Sequence, residues 1–197
     1  MAVVHTIQAT VPESRTQVSL TRQGLQRFQL GLEGRLEPGW AGRLSNGLAQ
    51  RKINIVRVEA ARRHARHWSS HIDLDFMTAK VRPESLDYLA LSQEPPEKQH
   101  QEALVLDDFL LERSSKCDGS LYLEATGPDR IGCLSALLNT FSLFSLFPAE
   151  MLVETQHKRI FDRFWLKGLG GSEPSPEAVA ALKVRMNELL RGGGTSA

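Results

Sequence analysis

The residues of this chain best placed to do chemistry form a short polar turn, Gly-Pro-Asp-Arg-Ile-Gly, at residues 127–132. An alternating apolar run precedes the turn, and an apolar run of helical period follows it. A loop of small residues that opens a helix leaves backbone N–H groups without intrahelical acceptors. Such groups bind a carboxylate or a phosphate. The sequence therefore predicts an anion cradle at this turn.

A second group with chemical potential is the basic cluster at residues 62–67, which holds three arginines and two histidines. A run of this kind can bind phosphate or nucleic acid. The net charge of the chain is only +1, however, and no pair of aromatic residues for base stacking accompanies the cluster. We therefore interpret it as the solvated tip of a hairpin and expect no nucleic-acid partner.

Other catalytic patterns are weak. His64, His67 and His71 have no cysteine or carboxylate at metal-ligand spacing. Asp73 and Asp75 resemble the carboxylate pair of a nucleotidyl transferase but lack the preceding Gly-Ser element. No nucleophile elbow, phosphate loop or dinucleotide fingerprint occurs. A small acylphosphatase-like hydrolase would also need an asparagine that no motif supplies. We expect a protein without catalysis, metal or cofactor.

Composition sets the class of protein. The chain has 197 residues, of which 41% are hydrophobic and 24% charged, as in ordinary globular domains. No apolar run approaches the ~20 residues that span a bilayer, and the N-terminus lacks the pattern of a signal peptide. Two cysteines are too few for a disulfide framework. We expect a cytoplasmic protein with no membrane partner.

The elements that position the turn belong to the second half of the chain. Strands are predicted at residues 121–126, 149–155 and 160–166, and a helix at residues 131–144. A last helix begins with Ser175 as N-cap, Pro176 and Glu177, and the glycines at 192–194 end it. No strand follows that helix. Residues 3–11, which favour a strand, are the obvious donor of a fourth strand.

The sequence of the first half predicts the same order of strands and helices. Strands are expected at residues 28–36, 53–60 and 72–76, with a helix at residues 41–51 and a hairpin turn at residues 61–67. Pro83 and Glu84 begin a second helix. After a polar linker, residues 104–111 could supply a fourth strand to this first unit.

Two landmarks indicate that the halves are copies of one unit. Gly42 and Gly132 follow similar prolines and lie 90 residues apart, and Pro83 and Pro176, each followed by glutamate, lie 93 apart. Such a recurrence favours duplication. The predicted fold is α+β, with two ferredoxin-like βαββαβ units in tandem and antiparallel sheets with helices on one face. The predicted divisions are an N-terminal strand and linker (1–26), two units (27–113 and 119–191) and a tail (192–197).

The unit resembles the ACT domain, a small regulatory module. Residues 125–134, Ala-Thr-Gly-Pro-Asp-Arg-Ile-Gly-Cys-Leu, are similar to the family's Asp-Arg-x-Gly-x-Leu turn. Residues 161–166 resemble the third strand of the C-terminal ACT domains of bacterial PII uridylyltransferases. The tandem layout is similar to that of the ACT repressors of the glycine cleavage system. In the first copy, Gly39 and Trp40 stand where the second has Asp129 and Arg130.

The resemblance implies a stand-alone regulatory protein, an allosteric sensor that binds a small effector of the amino-acid class between paired domains. The ligand-binding residues it implies are Asp129, Arg130, Ile131 and Gly132 in the second unit and Gly39, Trp40, Ala41 and Gly42 in the first. It also implies a homodimer and an unidentified regulated partner. The alternative is a ligand-free adaptor that binds another protein through its sheet edges and Trp40.

Overall fold

The computed structural model describes residues 16–64, 66–95 and 104–190. The predicted donor strand at residues 3–11 and the glycines at 192–194 lie outside this part of the chain. The strands are β1 (Gln17–Arg22), β2 (Arg27–Arg35), β3 (Asn54–His64), β4 (His67–Asp75), β5 (Asp108–Ser114), β6 (Ser120–Pro128), β7 (Phe147–Gln156) and β8 (Arg159–Lys167). The helices are α1 (Trp40–Gln50), α2 (Tyr88–Gln93), α3 (Lys116–Gly119), α4 (Cys133–Leu143) and α5 (Pro176–Glu188).

Within the described residues the eight strands form one antiparallel sheet in the order β1-β2-β4-β3-β7-β8-β6-β5. The fold is therefore mixed α+β, as predicted. The first four strands make one half of the sheet and the last four make the other. The halves meet where β3 pairs with β7, with Glu59 opposite Leu152 at the centre of the contact.

The strands form because apolar residues alternate along them, which directs one set of side chains to a single face. In β2, for example, Phe28, Leu30 and Leu32 are buried, while the residues between them are partly exposed. These side chains and the apolar residues of α1, α4 and α5 belong to one continuous hydrophobic core. Helix α1 packs against both α2 and α4, so the core runs across the junction of the halves.

Apart from the four-residue helix α3 between β5 and β6, each half has the order β-β-α-β-β-α, and the predicted fourth strand thus precedes its unit instead of following it. The prediction that residues 104–111 complete the first unit is wrong, because β5 pairs with β6 of the second half. Strand β1 occupies the matching edge of the first half, beside β2. Apolar alternation predicts a strand but does not identify its neighbour, because both candidate sheets offer an open edge.

Two element boundaries in the first half also differ from the prediction. Pro83–Ser85 is a single 3-10 turn, and α2 begins only at Tyr88. Asp87 caps this helix, since its carboxylate accepts a hydrogen bond of 2.9 Å from the Ala90 N–H. In the hairpin, strand β3 continues to His64, so Arg62 and Arg63 lie in a strand and not in the predicted turn.

The structure also corrects how the two turns correspond. Gly39 and Gly132 are the N-caps of α1 and α4, with φ of 80° and 97°, a conformation that glycine adopts without strain. The Arg43 N–H donates to Gly39 O as the Ala136 N–H donates to Gly132 O. The glycine that corresponds to Gly132 is therefore Gly39 and not Gly42. Gly39 and Gly132 lie 93 residues apart, which is the same spacing as that between Pro83 and Pro176.

Among the described residues, no helix combines the length and the apolar character needed to cross a bilayer.

Candidate ligand-binding site

Each strand-to-helix turn faces a cavity that the opposite half of the molecule helps to line. The turn before α4 faces the start of β3, and the turn before α1 faces the start of β7. Because β3 and β7 are adjacent at the centre of the sheet, both turns lie beside the junction of the halves. Seven of the eight predicted ligand-binding residues are thus divided between two cavities of very different size.

The cavity at the second turn has a volume of about 20 Å³, and it is lined in part by Asn54 from the first half. A site this small holds one water-sized guest and not an amino acid. Four buried side-chain oxygens have no hydrogen-bond partner within the described residues, and all four belong to residues that line this cavity. They are Ser135 Oγ, Thr155 Oγ1 and the two carboxyl oxygens of Asp162.

Asp162 is the most perturbed acid of this cavity. It lies in the middle of β8 on the buried face, and only 1% of the residue is exposed. Burial raises the pKa of Asp162 to about 8; the backbone at Glu154 opposes this shift, and the charge of Asp129 adds to it. At neutral pH the side chain is therefore mostly a protonated, neutral acid that can donate a hydrogen bond.

The four predicted residues of the second turn have different roles. Asp129 is partly buried, and burial raises its pKa, although a hydrogen bond of 3.1 Å from Asn54 Nδ2 to Asp129 Oδ2 acts in the opposite direction. Arg130 is exposed at the rim, and Gly132 lines the cavity. Ile131 is not among the lining residues. Asp129 is thus bonded across the junction of the halves rather than to Arg130.

The cavity at the first turn has a volume of about 720 Å³, in the range of sites that hold organic ligands. All four predicted residues of the first turn line it: Gly39, Trp40, Ala41 and Gly42. The second half contributes Phe147, Pro148 and Met151 from β7 and residues 167–171 after β8. The structure therefore places the larger cavity at the turn that departs more from the family motif.

Two tryptophans form an apolar wall of this large cavity. Trp40 and Trp68 pack edge to face, with ring centroids 5.4 Å apart and an interplanar angle of 70°. Trp40 is only 2% exposed, so it covers the core as well as lining the cavity. Trp40 is therefore not a surface residue through which an adaptor could bind a protein.

Among the described residues that line the large cavity, none is an aspartate or glutamate and four are cationic: Arg43, Arg62, Arg66 and Lys167. Arg66 forms a salt bridge of 2.9 Å to Glu37, outside the lining. The Lys167 ammonium is buried and donates to the carbonyls of Asp118 and Gly119, at 2.6 and 3.2 Å. These two cations are held in place by the protein itself.

The other two cations are freer. Arg43 donates from Nε to Ser92 O at 2.8 Å and from Nη1 to Pro38 O at 3.1 Å, which leaves its Nη2 outside these bonds. Partial burial lowers the pKa of Arg43, and Glu37 acts in the opposite direction. Arg62 makes no hydrogen bond or ion pair with any described residue, and a Cβ atom at Gly171 would lie 3.2 Å from its Nη2.

The turn itself adds hydrogen-bond donors. Helix α1 has no side-chain cap and no acidic residue in its first turn. The N–H groups of Trp40 and Arg43 donate to Glu37 O and Gly39 O, whereas those of Ala41 and Gly42 have no backbone acceptor among the described residues. Unbonded N–H groups at a helix start carry partial positive charge. The cavity therefore combines guanidinium groups, backbone donors and an aromatic wall.

The remaining candidates have ordinary structural partners. Asp73 accepts a hydrogen bond of 3.0 Å from Gln29, and Asp75 pairs with Arg27 at 3.1 Å. His64 and His67 stack with centroids 5.1 Å apart. In the described part of the chain, no three His, Cys, Asp or Glu side chains are grouped to hold a metal. Neither Cys117 nor Cys133 forms a disulfide, and Cys133 Sγ donates to Pro128 O at 3.6 Å.

Sequence reasoning placed none of Arg62, Asp162 and Lys167 at a cavity. It interpreted the basic cluster at residues 62–67 as a solvated hairpin tip, whereas Arg62 and Arg66 of that cluster line the large cavity. The available signal was the alternation of core-facing and outward-facing residues along a strand. Arg62 follows the buried Val58 and Ala60 at the same two-residue spacing, and Asp162 lies midway between the buried Ile160 and Phe164. A charged residue at a core-facing position of a strand needs an explanation, since such residues are seldom buried without a partner.

No family model matches this chain, and neither the curated proteins nor the solved structures contain a significant match to it.

Proposed function

We propose that this chain is a non-catalytic regulatory protein that binds a small anionic effector, such as the carboxylate of an amino acid, between two ACT-like halves. The turn motif at residues 129–134 and the repeated order of strands and helices support this assignment. Each half would be a ferredoxin-like unit whose edge strand has moved from its end to its beginning. The regulated protein would be a separate partner.

The observation that carries the proposal is the large cavity at the first turn. Its lining comes from both halves, so one ligand there would contact the start of α1 and the strands β7 and β8 together. A ligand shifts an equilibrium between arrangements only as far as it binds one of them better. Contacts to both halves are the simplest source of such a difference in affinity.

The anionic group would bind at the start of α1. The free N–H groups of Ala41 and Gly42 would donate to it, and the Arg43 and Arg62 guanidiniums would balance its charge. The apolar part of the effector would lie against Trp40 and the side chains of β7. In this arrangement the chain binds and orients a ligand without carrying out any bond-making step.

A test is a thermal-shift screen of the protein against the amino acids and simple organic anions. A ligand at 100 times its dissociation constant stabilises by about 2.7 kcal/mol, which raises Tm by roughly 5 to 10 °C for a chain of this size. Ser142→Trp should abolish the shift, because Ser142 is exposed and its side chain lines the cavity. An indole ring at this position is large enough to obstruct the cavity beside Ser142.

Leu143→Trp is the matched control, since Leu143 is the next residue of α4, is 75% exposed and does not line the cavity. This variant should keep the full ligand shift. A screen in which no compound gives a shift that Ser142→Trp removes would contradict the proposal. The adaptor function would then be the better account, with the exposed edge strands β1 and β5 as its binding surfaces.

A further inference from the structure

We propose that the ligand of the large cavity is a phosphate monoester with an apolar, flat body. This inference rests on the proposed function, because it names the chemical class of the effector for that same cavity.

The charge of the lining selects a strong anion. In the part of the chain that the structure describes, four cationic side chains and no carboxylate line the cavity. Glu37 neutralises Arg66, but Arg62 has no partner in the described part of the chain and Arg43 has a free Nη2 nitrogen. Two guanidiniums that face one cavity repel each other unless an anion lies between them. A dianion compensates this charge better than a monoanion.

The same lining disfavours an amino acid as the ligand. The ammonium group of a zwitterion needs a carboxylate or carbonyl acceptor, and it would instead meet the positive charges of Arg43, Arg62 and Lys167. The available donors also exceed the needs of a carboxylate, because two guanidiniums and the N–H groups of Ala41 and Gly42 belong to residues that line the same cavity. The three terminal oxygens of a phosphate monoester match this number of donors more closely.

The size of the cavity and its apolar lining residues are the reasons for proposing that the ligand has an apolar body besides its phosphate. Its volume of about 720 Å³ is far larger than inorganic phosphate requires. Trp40 and Trp68 contribute only small exposed parts to the lining, 2% and 7% of each residue, and Phe147 and Pro148 are half-buried there, so a flat apolar group has some apolar surface to cover. The phosphate would lie at the start of α1 and near Arg62, and the apolar body would extend along these side chains.

The test is isothermal titration calorimetry with phenyl phosphate at constant ionic strength, on the full chain and on two neighbouring variants. Arg62→Gln removes a lining charge, whereas Arg63→Gln removes the next charge of β3, which is exposed and does not line the cavity. We expect Arg62→Gln to raise Kd by about tenfold or more, because the variant loses a charge-assisted hydrogen bond to the phosphate. Arg63→Gln should leave Kd unchanged, and Ser142→Trp should abolish binding.

Two comparison ligands complete the design. Inorganic phosphate should bind more weakly than phenyl phosphate, because it leaves the tryptophan wall uncovered, and phenol should not bind. Equal weakening by Arg62→Gln and Arg63→Gln would overturn the inference, since the effect would then be nonspecific attraction. Binding of an amino acid that Ser142→Trp abolishes, with no binding of phenyl phosphate, would overturn the inference and leave the proposed function standing. If no ligand is sensitive to Ser142→Trp, both are overturned.

Discussion

At the scale of single residues, Asp162 shows how burial changes the chemistry of a side chain. Its carboxyl oxygens lie in a 20 Å³ cavity with the unpartnered hydroxyls of Ser135 and Thr155. In the unfolded chain the same carboxyl would ionise near pH 3.8, its ordinary pKa. The folded protein holds the proton until about pH 8 because a buried charge without a partner is costly.

This shift predicts how stability depends on pH. Between pH 4 and pH 8 the folded state binds one more proton than the unfolded state at Asp162, so stability falls as pH rises. The slope from this group is at most about 1.4 kcal/mol per pH unit. Asp162→Asn keeps the shape of the side chain without its charge. This variant should show a smaller dependence on pH of the free energy of unfolding, measured by urea denaturation from pH 5 to pH 8.

The control is Asp108→Asn, which changes an exposed carboxylate on the edge strand β5 and should leave the slope as it is in the wild type. A slope that is the same in Asp162→Asn and in the wild type would show that Asp162 ionises normally in the folded protein.

At the scale of elements, the starts of α1 and α4 determine the shape of both cavities. Each helix begins after a glycine in the left-handed region, and neither has a side-chain cap. The positive φ turns the chain sharply out of the strand, so the first helical N–H groups face the junction of the halves. Gly42, by contrast, lies inside α1, where an added Cβ would meet Leu138 Cβ at 3.7 Å, an ordinary contact distance.

The two glycines of the first turn should therefore respond differently to substitution. Gly39→Ala forces an L-residue into the left-handed region and should destabilise the protein by about 1 to 2 kcal/mol. Gly42→Ala should be neutral or stabilise by up to about 1 kcal/mol, because alanine favours the helix. Urea unfolding of both variants measures the difference. Equal destabilisation by both would contradict the assignment of Gly39 as the required glycine.

At the scale of the whole molecule, the pairing of β3 with β7 joins the halves into one sheet. Helices α1 and α4 cross the same junction, and Asn54 and Asp129 form a hydrogen bond across it. The buried residues make one core and not two. Separating the halves would expose apolar surface on both of them, at a cost of about 25 cal/mol per Å².

We expect the halves to unfold together. Two of the three tryptophans, Trp40 and Trp68, lie in the first half, and Trp165 lies in the second. In Trp165→Phe the tryptophan fluorescence reports on the first half alone, whereas far-ultraviolet circular dichroism reports on both. The two urea transitions should share one midpoint. Separate midpoints would show that the halves are independent folding units.

The local period of the sequence predicted most of the elements correctly. The strands β2, β6, β7 and β8 and the helices α1, α4 and α5 lie within a few residues of their predicted positions, since alternation and helical spacing are local properties. The N-cap at Ser175 is also confirmed by its hydrogen bond from the Ala178 N–H, at 3.2 Å. The binding roles of the eight turn residues stay predictions, although seven of them line a cavity.

The sequence alone determined the mixed α+β class and the two turns, because each depends on residues close together in the chain. Only the tertiary structure decided that β5 pairs with β6, that Gly39 corresponds to Gly132, and that the first turn has the larger cavity. Those outcomes depend on which surfaces from distant segments meet. The charge of Lys167 reaches the first turn only because β3 and β7 pair and bring the two halves together.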